Sequence, residues 1–100
     1  MDKNEYMVVM HLPENFVESF AALIPEQREQ VNLLLQKGIV TSYSLSLDRT
    51  HLWAILRGKN EREIIQILAR LPIFKHVRYE LHELAFHNTP VHSFPQVSLN

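Results

Sequence analysis

The segment that most constrains this chain is residues 6–12, Tyr-Met-Val-Val-Met-His-Leu, because as a strand it has no polar face to turn to water. Its short length, its paired valines and the closing Pro13 select strand over helix. Tyr6, Val8 and Met10 take one side, and Met7, Val9 and His11 take the other. Both sides are largely apolar, the pattern of a strand covered on both faces. Only 100 residues are available to do the covering. That length makes one domain, which buries roughly 60–65% of the surface its unfolded chain exposes.

Residues 14–37 predict helix in two parts divided by Pro25. Phe16, Phe20 and Leu23 fall at i, i+4, i+7 in the first part. Pro25 suits the first position of the second, where its missing N–H would have no partner. Val31, Leu34 and Leu35 give that helix its apolar face, and Gly38 stands where a left-handed C-terminal cap is wanted. Residues 39–47 alternate, with Ile39, Thr41, Tyr43, Leu45 and Leu47 on one face and Val40, Ser42, Ser44 and Ser46 on the other. Asp48-Arg49-Thr50 reads as a hairpin turn. Strand 51–57 follows, with Leu52, Ala54 and Leu56 opposed to His51, Trp53, Ile55 and Arg57. Asn60 with Glu63 is an N-cap with a near capping box. The stripe Ile64, Ile65, Leu68, Leu71 extends from it to Pro72. Residues 76–86 form a last strand, in which Val77, Tyr79 and Leu81 alternate with His76, Arg78, Glu80 and His82.

The order β-α-β-β-α-β predicts an α+β, ferredoxin-like domain over residues 1–87: an antiparallel four-stranded sheet with both helices on one face. Residues 88–100, which hold Pro90 and Pro95, read as an extended C-terminal arm. Two helices cover one face only. The open face would carry Met7, Val9 and His11 or their strand neighbours, with Ser42, Ser44, Trp53, Ile55, Arg78, Glu80 and His82, a patch larger than monomers usually tolerate. A second copy, sheet against sheet about a two-fold axis, is the simplest cover. The cavity between the sheets would then suit a small molecule.

Composition removes other classes. Ten basic and 11 acidic residues give a net charge of -1 with no block of either sign, so no nucleic-acid partner is expected. The absence of cysteine removes disulfides and thiolate chemistry. The first residues, Met1-Asp2-Lys3-Asn4-Glu5, are polar and no apolar run approaches the ~20 residues of a membrane span. A soluble cytoplasmic protein without membrane contact is expected. Gly38 and Gly58 are too few for a glycine-rich phosphate loop. His76, His82, His87 and His92 match no metal-ligand spacing, so no metal is expected.

The run Leu71-Pro72-Ile73-Phe74, followed by Glu80, Leu84 and His87, resembles the C-terminal part of the muconolactone isomerase family, within the dimeric α+β barrel superfamily. The spacing from Leu23 through Gly38 to Leu71-Pro72 fits that family without a gap. His11-Leu12-Pro13 resembles its basic residue followed by Leu-Pro. The resemblance spans about residues 6–88. It implies a cofactor-free isomerase that moves a proton within a small anionic lactone in aromatic catabolism. It also implies ferredoxin-like subunits paired into α+β barrels, with assembly into larger rings. Glu26 and Trp53 match an acidic and an aromatic family position in kind. Thr41, Ser42 and Ser44 stand where the isomerases carry a strand rich in Arg, His and Trp.

Moving a proton between two carbons needs a group that takes and returns it near neutral pH. His11 or His82 is the candidate acid/base, with Glu80 orienting it or sharing the proton. Arg78 would anchor the substrate anion, since a guanidinium matches a carboxylate in bidentate fashion. Ser42 and Ser44 would hydrogen-bond a substrate oxygen, and Trp53 would line the cavity. Two alternatives are a small-ligand-binding member of the fold without catalysis, and a monooxygenase of the same superfamily.

Overall fold

The structure, a computed structural model, describes residues 4–14 and 18–90. Strand β1 (Asn4–His11), helices α1 (Glu18–Ala21) and α2 (Ile24–Gln36), strands β2 (Val40–Leu45) and β3 (His51–Gly58), helix α3 (Glu61–Ala69) and strand β4 (Arg78–Glu83) follow in that order. The strands form one antiparallel sheet in the order β2-β3-β1-β4. The expected ferredoxin-like arrangement is what the chain adopts. Most of the expected arm, from residue 91, and Phe16 lie outside the described residues.

Local signals act as the sequence predicts. Pro25 lies in the first turn of α2, and Gly38 follows its C-cap with φ of 74°. Asn60 Oδ1 accepts the Glu63 N–H at 2.9 Å and caps α3. The Glu63 carboxylate returns to the Lys59 N–H at 2.7 Å, one residue before the position a full capping box would use. Gly58 ends β3 against α3: a Cβ there would lie 2.8 Å from Ile64 Cδ1 and 2.9 Å from Glu63 Oε1.

The core lies on the helix side of the sheet. Tyr6, Val8 and Met10 of β1 and Leu52, Ala54 and Leu56 of β3 are buried there against Phe20, Val31, Ile64 and Leu68. The register is Val8 opposite Ala54 and Leu81, and Met10 opposite Leu52 and Tyr79. The even positions of β1 therefore face the helices and its odd positions face away.

Two expectations are corrected. Strand β2 does not alternate cleanly: Val40 pairs with Leu56 and Ser42 with Ile55, so Thr41 is an extra residue in a bulge. The bulge puts Val40, 4% exposed, on the core face with Tyr43, while Ser42 and Ser44 stay on the other face. Leu47 lies beyond the strand and is fully exposed. His76 is not in β4. It belongs to a 3-10 turn over Phe74–His76, where its ring meets Phe20 edge-on at 5.8 Å.

Candidate functional site on the open face of the sheet

The face turned away from the helices is organised in rows set by strand register. His51, His11 and Arg78 form one row; Ser44, Trp53, Val9 and Glu80 the next; Ser42, Ile55, Met7 and His82 the third. All seven sequence-predicted site residues therefore share one face. They do not form one cluster. Ser42 and Ser44 are on edge strand β2 and Glu80 is on the opposite edge strand, three strand spacings or about 14 Å away.

The cluster that does form is built on β1 and β4. His11 and Glu80 are diagonal neighbours across that pair, a separation long side chains bridge. His11 Nε2 lies 2.9 Å from Glu80 Oε2, and His82 Nε2 lies 3.4 Å from Glu80 Oε1. These two contacts hold the Glu80 carboxyl below its ordinary 4.5, the His11 hydrogen bond contributing most and the His82 bond next. An ionised carboxylate only accepts, so both imidazoles present Nε2–H to it. The basic nitrogen of each neutral ring is then Nδ1.

His51 belongs to this site and was not among the candidates read from the sequence. Its ring stacks on Trp53 (centroids 5.7 Å apart, 9° between planes) and meets His11 edge-on at 4.8 Å. The hairpin turn fixes its tautomer. Thr50 Oγ1 donates its one proton to Asp48 Oδ1 at 2.7 Å, so at its 2.7 Å contact with His51 Nδ1 it must accept. Asp48 Oδ1 also accepts from the Ser46 hydroxyl and the Thr50 N–H. Thr50 first, then Ser46, hold the Asp48 carboxyl down to about 2. The turn itself is legible in Asp48-Arg49-Thr50, but the stacking of His51 on Trp53 and its edge contact with His11 are set by strand pairing.

Arg78 pairs in register with His11 and forms no ion pair with Glu80 two residues along its strand. Arg78, His11, His51, Asp48, Arg49, Thr50 and Glu14 instead line one cleft of about 390 Å³ at this end of the sheet. His82 does not reach that cleft. Trp53, 38% exposed, stands beside it.

The opposite end of the face is partly closed by the chain itself. The Leu84 N–H bonds to the Glu5 carbonyl at 2.8 Å, and His87 and Thr89 then border a cleft with Glu5, Arg57 and Thr41 of the other three strands. Ile55, in the next row, is only 3% exposed. The open apolar patch is therefore smaller than the strand pattern predicts. Trp53 remains an exposed large side chain on it, and Phe86, beyond the end of β4, is exposed as well. Among the described residues, no group of three His, Cys, Asp or Glu side chains is disposed to hold a metal ion, and no helix is long and apolar enough to cross a membrane.

Comparison with known proteins gives the fold and no more. No family model matches the chain, and no curated protein matches its sequence. Among solved structures it superimposes on a crystal structure of muconolactone isomerase with a TM-score of 0.70 and 20% sequence identity, over 89% of this chain and 96% of that one.

Proposed function

We propose that this chain, which shares the fold of muconolactone isomerase, is a muconolactone isomerase-like protein that moves a proton within a small anionic organic molecule held on the open face of the sheet. The observation that carries the reading is the cleft in which His11 and Arg78 meet, with Glu80 fastened to the far nitrogen of the His11 ring. Arg78 has no carboxylate partner among the described residues and is the anion anchor. His11, in its neutral form, takes a proton from one carbon through Nδ1. The resulting imidazolium is stabilised by Glu80, and the same proton returns to another carbon as the double bond shifts between them. Glu80, held ionised, positions and compensates charge and does not carry the proton. His82 holds the second oxygen of Glu80. No step calls for a cofactor.

Residues 1–87 form the working unit in this reading, with 88–100 as an arm. A second copy completes it by covering Trp53 and Phe86. A two-fold pair whose axis runs along the strands would lay β2 of one sheet over β4 of the other and so bring its serines toward the Glu80 cluster, which the distances within one chain forbid. The serine-bearing β2 favours a second reading, a binding protein of the same fold that retains the anion site without turnover.

The decisive experiment follows the lactone ultraviolet band with muconolactone and related acids. Turnover should fall about 10²–10⁴-fold in His11→Ala, the usual contribution of a positioned acid/base. Arg78→Gln should act mainly on KM. No turnover by the wild type, with ligand binding that depends on Arg78 but is unchanged in His11→Ala, would replace catalysis by binding. Light scattering at micromolar concentration tests the pair, and a clean monomer would remove it.

A further inference from the structure

A second cavity, of about 380 Å³, lies on the other side of the sheet, between the N-terminal turns of α2, α1 and the core face of β2 and β3. Its walls are Leu12, Phe20, Ile24, Leu45, Leu52 and Ile73. Its size is at the small end of the range for ligand sites, which are mostly apolar with a few placed polar groups. Four polar side chains complete it: Gln27, Tyr43, Arg28 and Arg49.

Those four are arranged for an anion. Gln27 accepts the Ile73 N–H with Oε1 at 3.3 Å, which leaves its Nε2 to donate to the Tyr43 hydroxyl oxygen at 3.2 Å. The tyrosine oxygen is thus an acceptor already, and its proton has no acceptor among the described residues. Burial raises the Tyr43 hydroxyl above its ordinary 10, so the proton stays in place at neutral pH. Arg28 and Arg49 are exposed residues that line the same cavity and so form its rim. Neither has a carboxylate partner among the described residues, whose ion pairs both belong to Glu80. Arg49 reaches this position from a left-handed backbone, φ 64°, that an L-residue adopts only at a cost. Two uncompensated guanidinium groups and one hydroxyl donor therefore border an apolar chamber, a combination that neutral ligands do not require.

We propose that this cavity is a small-molecule site for a compact aromatic or alicyclic carboxylic acid. The carboxylate lies between Arg28 and Arg49 within reach of the Tyr43 hydroxyl, and the ring lies against Phe20, Leu52 and Ile73. The site lies on the helix side of the sheet and the other on its open face, and Leu12 and Arg49 border both.

Phenylacetate is a suitable probe, with phenylacetamide as its uncharged control. Two-dimensional amide NMR of the whole chain should show saturable shifts by phenylacetate at Arg28, Tyr43 and Arg49, and none by phenylacetamide at the same concentration. The paired change Arg28→Gln with Arg49→Gln, at two exposed positions, should weaken binding about tenfold or more, the loss expected when charge-assisted hydrogen bonds are removed. Tyr43→Phe should weaken it less, and His11→Ala and Arg78→Gln should leave it unchanged. Failure of phenylacetate to produce saturable shifts around the cavity would overturn the proposal. So would equal binding of the amide, undiminished binding by the folded double variant, or shifts that map to His11 and Arg78 instead. Loss of turnover in His11→Ala with this binding intact would separate the two sites.

Discussion

Gln27 is a polar side chain in an apolar core, 3% exposed, and its amide is used at both ends. Methionine in its place has a similar length and flexibility, so Gln27→Met keeps the packing and removes the hydrogen bonds. The Ile73 N–H, on a residue 1% exposed, is then left without its acceptor. A buried donor stranded in this way costs about 1–3 kcal/mol. The Tyr43 hydroxyl borders a cavity that water can enter, so its loss adds little. Against the 5–15 kcal/mol that holds a typical domain together, that is a substantial fraction. In a domain of this size it corresponds to a fall in Tm of roughly 5–20 °C. Gln27→Ala should cost about 2–4 kcal/mol, since truncation adds a cavity. Gln27→Glu retains an acceptor for Ile73 but buries a carboxyl whose charged form is disfavoured. Its folded-state pKa is raised, so that variant should gain stability as pH falls. Urea unfolding at several pH values measures all three. A Gln27→Met protein within about 0.5 kcal/mol of wild type, the range of ordinary surface changes, would refute the reasoning.

The remaining expectations concern the edges of the fold. Gly58→Ala should cost about 1–3 kcal/mol by overpacking, because its Cβ would enter the space of Ile64 Cδ1. Ile64→Val, which removes that atom, should recover part of the loss in the double variant, and strict additivity in urea unfolding would argue that the clash is relieved elsewhere. The Ser46–Thr50 turn should be acid-labile only at very low pH. The folded-state pKa of Asp48 is depressed from 3.8 to about 2, so its contribution is complete above the ordinary carboxylate range and is lost as pH falls through about 2. The Thr50 amide resonance reports this, and a midpoint near 3.8 would mean that the turn's hydrogen bonds do not hold in solution. Glu80 follows the same sign: its pairing with His11 and His82 contributes above the carboxylate's ordinary 4.5 and weakens as pH falls below it.

The elements that could be read from the sequence are those whose signals are local. Pro25 and Gly38 act through their own backbone and Asn60 through a side chain that caps its own helix, while the period of β1 and β3 divides each strand into its two faces. What escaped was decided by distance in space. Nothing in Val40-Thr41-Ser42 distinguishes a bulge from plain alternation, because the choice is made by Leu56 and Ile55 across the ladder. The shared face of His11, Glu80 and His82 followed from strand order and period. That His51 joins them depends on its pairing in register with His11 across two strands far apart in the chain. The chamber between α2 and β2 depends on how far a helix stands off a sheet, a quantity no residue spacing encodes.

The bulge at Thr41 also makes that position separable from the rest of the strand. With Thr41 absent, Val40, Ser42 and Tyr43 would alternate inward, outward, inward with no change in any partner of β3. The sheet should therefore accept two lengths of β2 with one set of cross-strand neighbours, since a one-residue deletion there preserves register. The Thr41 hydroxyl donates to the Ile55 carbonyl at 3.4 Å. The chain thus carries, inside its sheet, a place where its length can change without its faces exchanging.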